Sequence, residues 1–316
     1  MRKTMKKREH FSSRFAVIAV VAGSAVGLGN IWKFPYVLGS NGGSAFMLVY
    51  ILFVIVLGVP LMMSEFIIGR RAQTNSFRAF GKLVPVFRWA FLGIVPTIAA
   101  FFILSYYTTI AGWTLEYLYQ SVIDGYGNSD AATIKNSFDT FSHSMVMPLV
   151  WQLCFFALTA YIVYAGVKQG IEKYSKIMMP LMIVLMLGMC VKSLSLDGAY
   201  EGVKFLFAPD FSKLNAQVIL EALGQAFFSL SLGMGILITY SSYMSKNEKI
   251  HQTAAIVVFT DTLLALLAGV MIFPAVFSFG ISPNSGAGLV FVTLPNIFNQ
   301  MSGGYIFAII FFVLLT

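Results

Sequence analysis

Long stretches without a charge alternate along this chain with short basic or polar ones. The uncharged runs place helical spans at about 13–38, 42–69, 89–120, 147–166, 174–192, 215–243 and 252–280, with an incomplete eighth starting near 305. About 20 apolar residues cross a bilayer core, so each complete run is long enough to span. A segment surrounded by lipid must satisfy its own backbone donors and acceptors, which predicts helix for every run. The connections 121–146 and 193–214 are polar and read as loops. The segment 281–304 is different: it carries Pro283, Pro295 and an apolar patch from Gly288 to Leu294, as a re-entrant or capping segment would.

Composition agrees with the pattern. Of 316 residues, 58% are hydrophobic and 11% charged, and the mean hydropathy is +0.80, whereas a soluble domain carries about 25% charge. This predicts an all-α integral membrane protein and excludes disorder, fibre, coiled coil and disulfide scaffold. The net charge of +8 matters through its distribution: 16 of the 21 Lys and Arg lie before span 1 or in the connections 2–3, 4–5 and 6–7, all on one side of the bilayer. Basic connections stay cytoplasmic, so the N-terminus is expected inside and the chain is expected to be a multi-pass protein of the inner (plasma) membrane. The basic balance is thus a topology signal and gives no reason to expect nucleic acid. The first apolar run is longer than the roughly 7–15 residues of a signal-peptide core, and no small-residue cleavage site follows it. Cys154 and Cys190 both fall inside apolar runs and read as reduced core residues; His10, His143 and His251 are scattered.

Spans 1 and 6 are interrupted in a related way. Span 1 contains Gly23-Ser24-Ala25-Val26-Gly27-Leu28-Gly29-Asn30, and span 6 contains Ser229-Leu230-Ser231-Leu232-Gly233-Met234-Gly235. Each puts Gly-x-Gly and small polar residues in mid-membrane, where glycine costs about 1 kcal/mol relative to alanine in a helix. Close packing through small residues explains either segment alone. Together, in corresponding positions five spans apart and of opposite direction, they point to the binding site of an inverted-repeat transporter. Asp261, near the middle of span 7, strengthens this reading, because an intramembrane carboxylate is costly unless it is paired or lines a wet cavity. With Asn30, Ser229 and the Ala25 carbonyl it offers the oxygen ligands that hard cations prefer. Glu65, at one end of span 2, is expected to snorkel or to form a helix-end ion pair. Lys33 is expected either to snorkel or to serve an outer gate. Trp32, Trp89, Trp113 and Trp151 lie near run ends or on bundle faces, as in interfacial belts. Gly170 and Pro180 bracket the start of span 5, which they weaken as helix.

These residues carry a resemblance. Arg8-Glu9-His10-Phe11, the run Gly23 to Pro35 (with Asn30-Ile31-Trp32-Lys33-Phe34), Asn41-Gly42-Gly43, Gly224 to Gly233 and Leu294-Pro295-Asn296-Ile297-Phe298 are similar to the corresponding segments of neurotransmitter:sodium symporters, in particular bacterial members. Transporters of this family are among the founding cases of the inverted-repeat rule, so the two indications are not independent. The resemblance implies a five-plus-five inverted repeat, with residues 1–192 as the first repeat (spans 1–5) and 193–316 as a partial second repeat (spans 6–7 and an incomplete span 8). It implies sodium-coupled symport of a small amino compound. A first Na+ site is implied at Ala25, Asn30, Ser229 and Asp261, together with the substrate carboxylate. A second is implied at the carbonyls of Gly23 and Val26, completed by span 8. The implied substrate pocket comprises Ala25, Leu28, Gly29, Ile103, Tyr107, Phe228, Ser229, Ser231 and Met234. In it, Tyr107 donates to the substrate carboxylate and Phe228 acts as outer lid. Lys33 stands in the outer gate where many members have Arg, and Arg8 belongs to an inner gate.

Three positions sharpen the expectation. Gly27 stands where monoamine carriers have Asp, which leaves room for the carboxylate of an amino acid. Asp261 stands where chloride-dependent members have Asn, so a fixed carboxylate replaces the anion and transport is expected to be chloride-independent, since like charges repel at such range. Met234 is flexible and stands where some bacterial members have Phe, which favours a large hydrophobic or aromatic substrate. An amino-acid-binding membrane sensor, or an inactive fragment of the same fold, is the alternative. An enzyme is not expected, since no nucleophile–base arrangement or metal motif is present. The final run, Tyr305 to Thr316, is about 18 Å of helix at 1.5 Å per residue, short of the bilayer core, so the chain is expected to continue in a longer carrier. Oligomeric state is not legible.

Overall fold

A computed structural model describes residues 11–25, 27–84, 89, 91–123, 129–164, 166 and 171–316. The described residues are helices joined by turns. In chain order they are α1 (Arg14–Ala25), α2 (Phe34–Ser40), α3 (Ser44–Phe53), α4 (Val59–Ala72), α5 (Ser76–Leu83), α6 (Ile94–Val122), α7 (Ala131–His143), α8 (Met147–Tyr164), α9 (Lys173–Leu194), α10 (Ala199–Phe207), α11 (Ala216–Ser229), α12 (Ile236–Ser241), α13 (Ile250–Ser278), α14 (Leu289–Asn299) and α15 (Gly304–Leu315). Five continuous helical segments are long and apolar enough to cross a membrane: Ser44–Ala72, Phe91–Val122, Met147–Tyr164, Lys173–Leu194 and Ile250–Ser278. They correspond to spans 2, 3, 4, 5 and 7. Spans 1 and 6 are each divided into two pieces too short to cross alone.

The division follows the sequence. Span 1 leaves the α-helix after Ala25 and resumes as a π-helical turn, Gly29–Lys33, before α2. Span 6 stops at Ser229 and restarts at Ile236. Between them Ser231 has φ 55°, Gly233 φ 75° and Gly235 φ 72°. Glycine adopts this left-handed region without a steric penalty; Ser231 adopts it as a strained exception. Span 2 keeps its course but widens into a π-turn at Val54–Gly58, just before Pro60, which has no N–H to give the helix.

The polar connections are more ordered than a loop reading allows. Residues 131–143 form α7, whose start is capped by Asp130 accepting from the Thr133 amide at 2.9 Å, and 199–207 form α10. Both are short amphipathic helices, so their mixed composition looked like loop when read for spans alone. The Asp130 carboxyl is held below its usual range by its bonds to Thr133. The 281–304 segment contains α14, in which every residue from Leu289 to Phe298 is buried. It is a helix driven into the protein, in keeping with the re-entrant or capping expectation.

The core centres on α13, which packs against α1, α4, α9 and α10 and buries Asp261 on the same face as Val257, Leu264 and Ala265. Cys190 is buried, but Cys154 is exposed on α8, contrary to the core expectation: α8 presents apolar residues on all sides and buries none of them. A uniformly apolar helix gives no periodicity from which burial can be read. The tryptophans divide similarly. Trp32 is buried and its indole N–H donates to the Ala287 carbonyl at 2.8 Å, and Trp113 stacks edge-on with Phe138 and Phe291; these two are packing residues, while Trp89 is exposed. Near the start of α9, Ser12 bonds the buried Glu172 through its amide and hydroxyl, and Lys176 donates to both at 2.6–2.7 Å. Burial pushes the Glu172 carboxyl up, but the bonds from Lys176 and Ser12 outweigh this and hold it below its ordinary range.

Helix α4 approaches the second half of span 6 closely. A Cβ on Gly69 would lie 2.0 Å from both the Ile238 carbonyl oxygen and the Ser241 hydroxyl. We therefore expect Gly69→Ala to force the two helices apart and to cost about 1–3 kcal/mol. The control is Gly224→Ala in α11, where nothing lies within 4 Å and a gain of up to about 1 kcal/mol is expected. Thermal unfolding in detergent should lower the midpoint of the first variant and leave or raise that of the second.

Candidate functional site

The two breaks face each other across Asp261. The Asn30 amide Nδ2 donates to Asp261 Oδ1 at 2.7 Å and to the Asp261 backbone carbonyl at 3.2 Å. Ser229, the last residue of α11, places its hydroxyl 2.7 Å from Asn30 Oδ1 and 2.6 Å from Asp261 Oδ2, and the Tyr50 hydroxyl donates to it at 3.3 Å. All four residues are buried. The serine has one proton for two acceptors, so while Asp261 is ionised one of these two oxygen contacts has no proton between its atoms. A surplus of hard oxygen lone pairs with a buried carboxylate fits a small cation such as Na+. Asn30, Ser229 and Asp261 are thus brought together as the sequence predicts. Ala25 is the last residue of α1. Val26 and Arg8 lie outside the described residues, as does Gly170. Gly23 lies away from the cluster, lining a separate cavity of about 300 Å³ with Gly27, Tyr107, Ser175 and Met178.

A larger cavity, about 390 Å³, lies between span 3 and the two breaks, within the size range of small-molecule sites. It is lined by Gly29, Ile103, Tyr107, Phe228, Ser231 and Met234, six of the nine expected pocket residues. Of the others, Leu28 and Ser229 are buried away from its wall. The lining also includes Ala100, Leu104, Ile236 and Tyr240, which sequence reasoning missed. A signal for two of them was present: Ala100, Ile103, Leu104 and Tyr107 recur at i, i+3, i+4 and i+7, one face of α6. Tyr107 lines both cavities, and its hydroxyl would sit 3.4 Å from a Cβ placed on Gly27. A Cβ at position 27 would thus be in van der Waals contact with the tyrosine hydroxyl.

Phe228 closes one side of the cavity. Lys33 Nζ sits 3.6 Å from the centre of its ring, and Tyr106 stacks on it at 6.5 Å. Lys33 thus makes a cation–π contact with Phe228. Glu65 departs from its expectation. It forms no ion pair among the described residues; its Oε1 accepts from the Gly233 backbone N–H at 2.7 Å, inside the span 6 break, and its Oε2 is buried without a partner. A broken helix leaves amides without intrahelical acceptors, and a carboxylate from span 2 meets one of them.

The profile of the sodium:neurotransmitter symporter family matches residues 8–139 and 128–316. The chain belongs to that family. It is 45% identical over 308 residues to the sodium-dependent transporter YhdH of Bacillus subtilis (strain 168), covering 98% of this chain and 68% of that one. To a sodium-dependent transporter of Haemophilus influenzae it is 41% identical, covering 98% and 70%. The crystal structure of MhsT in complex with L-phenylalanine superposes with a TM-score of 0.93 at 48% identity, covering 98% of this chain and 70% of MhsT. The family and its structural neighbours are membrane transporters and not enzymes, and the all-helical fold is shared with MhsT.

If the Gly233 amide depends on Glu65, Glu65→Ala removes its acceptor at a cost of about 1 kcal/mol, since Gly233 is exposed and water can take the place of the carboxylate, while Glu65→Gln keeps an acceptor. Hydrogen exchange should show faster exchange at residues 230–235 in the alanine variant and near-unchanged rates in the glutamine variant.

Proposed function

We propose that this chain carries out sodium-coupled symport of a neutral, hydrophobic or aromatic L-amino acid by alternating access, without chloride. The observation that carries the reading is the convergence of Asn30, Ser229 and Asp261 at two helix breaks that also border the 390 Å³ cavity. Sodium held at these oxygens would place a positive charge beside the cavity, where a substrate carboxylate gains from it and from the exposed helix ends. Coupling follows, because each ligand stabilises the other's site. The cavity's lining is mostly apolar, and the MhsT structure in complex with L-phenylalanine supports an aromatic guest. Gly27 leaves the Tyr107 hydroxyl accessible to a carboxylate. Phe228, held by Lys33 and stacked on Tyr106, is the lid whose movement opens one side.

The second Na+ site, at the carbonyls of Gly23 and Val26 with span 8, is part of the same proposal, as is the inner gate at Arg8. So is the arrangement of 1–192 and 193–316 as one complete and one partial repeat. The charge distribution supports a cytoplasmic N-terminus.

Asp261→Ala removes the one charged ligand, leaving Asn30 and Ser229 with neutral oxygens only. Losing one partner of a buried charged cluster costs about 3–5 kcal/mol, a loss of at least about 100-fold in affinity. Stabilisation by L-phenylalanine, measured by thermal shift in sodium and in potassium, should be sodium-dependent in the native chain and absent in the variant; an unchanged sodium affinity would remove Asp261 from the ligand set. In proteoliposomes, exchanging chloride for gluconate should leave sodium-driven uptake unchanged, and a collapse of uptake would show that the carboxylate does not substitute for the anion.

A further inference from the structure

The cavity extends beyond the residues expected to hold an amino acid. Ala100 and Tyr107 lie at opposite ends of the lining face of α6, seven residues or about 10 Å apart. Tyr107 lies beside Gly27 and the span 1 break. On the other side of the cavity, Ile236 and Tyr240 belong to α12, the helix that begins after the span 6 break. Most of this extension is apolar: Ala100, Leu104 and Ile236. The exception is the hydroxyl of Tyr240, which makes no hydrogen bond among the described residues, although the residue is largely enclosed and lines the cavity. Ser231 is also polar, but it lies in the break itself, among the helix ends that would receive charged groups.

An enclosed phenol costs free energy unless it finds a partner. Among the described residues no side chain provides one, and the cavity that Tyr240 lines is the proposed site of the transported molecule. We propose that Tyr240 is a specificity-determining residue. Its hydroxyl hydrogen-bonds the far end of the substrate side chain, so that the cavity favours aromatic amino acids with a polar ring tip, the phenol of tyrosine above all, over phenylalanine. The inference rests on the reading of this cavity as the amino-acid site. Tyr107 and Tyr240 line the same cavity, so an amino acid whose carboxylate meets Tyr107 shares that space with the Tyr240 side chain. A site with a hydrogen-bonding group for a substrate hydroxyl rejects the analogue that lacks it, because its own polar group is then left unpaired.

The test compares L-tyrosine and L-phenylalanine binding in sodium, by competition or thermal shift, on the native chain and on Tyr240→Phe. Both ligands are measured on the same preparation, so the ratio of their affinities is independent of how much protein is folded. The native chain should bind L-tyrosine at least as well as L-phenylalanine. Tyr240→Phe should weaken L-tyrosine by about 10-fold relative to L-phenylalanine, the worth of one enclosed hydrogen bond. An unchanged ratio with L-phenylalanine still bound overturns the role of Tyr240 and leaves the amino-acid site standing. A native chain that binds neither acid in sodium overturns both.

Discussion

A carboxylate in the middle of a membrane has to be held, and the elements that hold Asp261 are the ones that give this protein its shape. Asn30 reaches it from the first broken span and Ser229 from the second, each at a helix break, with Tyr50 behind them. The breaks and the charge need one another. Without the breaks, Asn30 and Ser229 would spend their positions on continuous helices; without Asp261, two gaps in the backbone ladder would face each other with no reason to meet. The cost of the interruptions is met locally by neighbours: Glu65 accepts from the Gly233 amide, and Gln225 donates to the Gly29 carbonyl at 3.3 Å. Even so, Glu65 Oε2 and Gln225 Oε1 are buried without partners among the described residues.

The scaffold around this cluster is built for close approach. α4 touches the second half of span 6 through Gly69. A Cβ on Gly58 would meet Leu230 at 2.4 Å, so the π-turn of span 2 is set against the break itself. In lipid there is no hydrophobic drive between helices, and packing of small residues supplies much of the attraction. The result is a firm frame, centred on α13, that carries two short, discontinuous pieces. Lys33 and Phe228 sit on those pieces, joined by a contact between a cation and a ring. Such a contact has no fixed donor–acceptor geometry, so it is less demanding of position than a salt bridge would be.

Much of this was legible in the residues. Apolar run lengths gave the spans, since a bilayer imposes one length on every crossing. Gly-x-Gly gave the breaks, since glycine is poor in a helix wherever it falls. Asp261 drew attention because a charge there is costly in any fold. Less was legible where the signal depends on a partner. α7 and α10 are short amphipathic helices whose faces mean nothing until α14 and α13 lie beneath them. Cys154 looked like core because a uniformly apolar helix does not say which of its sides meets protein.

By itself, then, the sequence determined the class of protein, the positions of its crossings and interruptions, and the identity of the charged group at its centre. These follow from the solvent and from intrinsic backbone preferences, which act on each segment separately. Tertiary structure decided which polar groups meet: that Glu65 serves the span 6 break instead of an ion pair, that Lys33 lies over Phe228, and that Tyr240 and Ala100 complete the cavity wall. Those are contacts between segments far apart in the chain. No local preference encodes them, because the direction in which a side chain points acquires meaning only when another helix is placed opposite it.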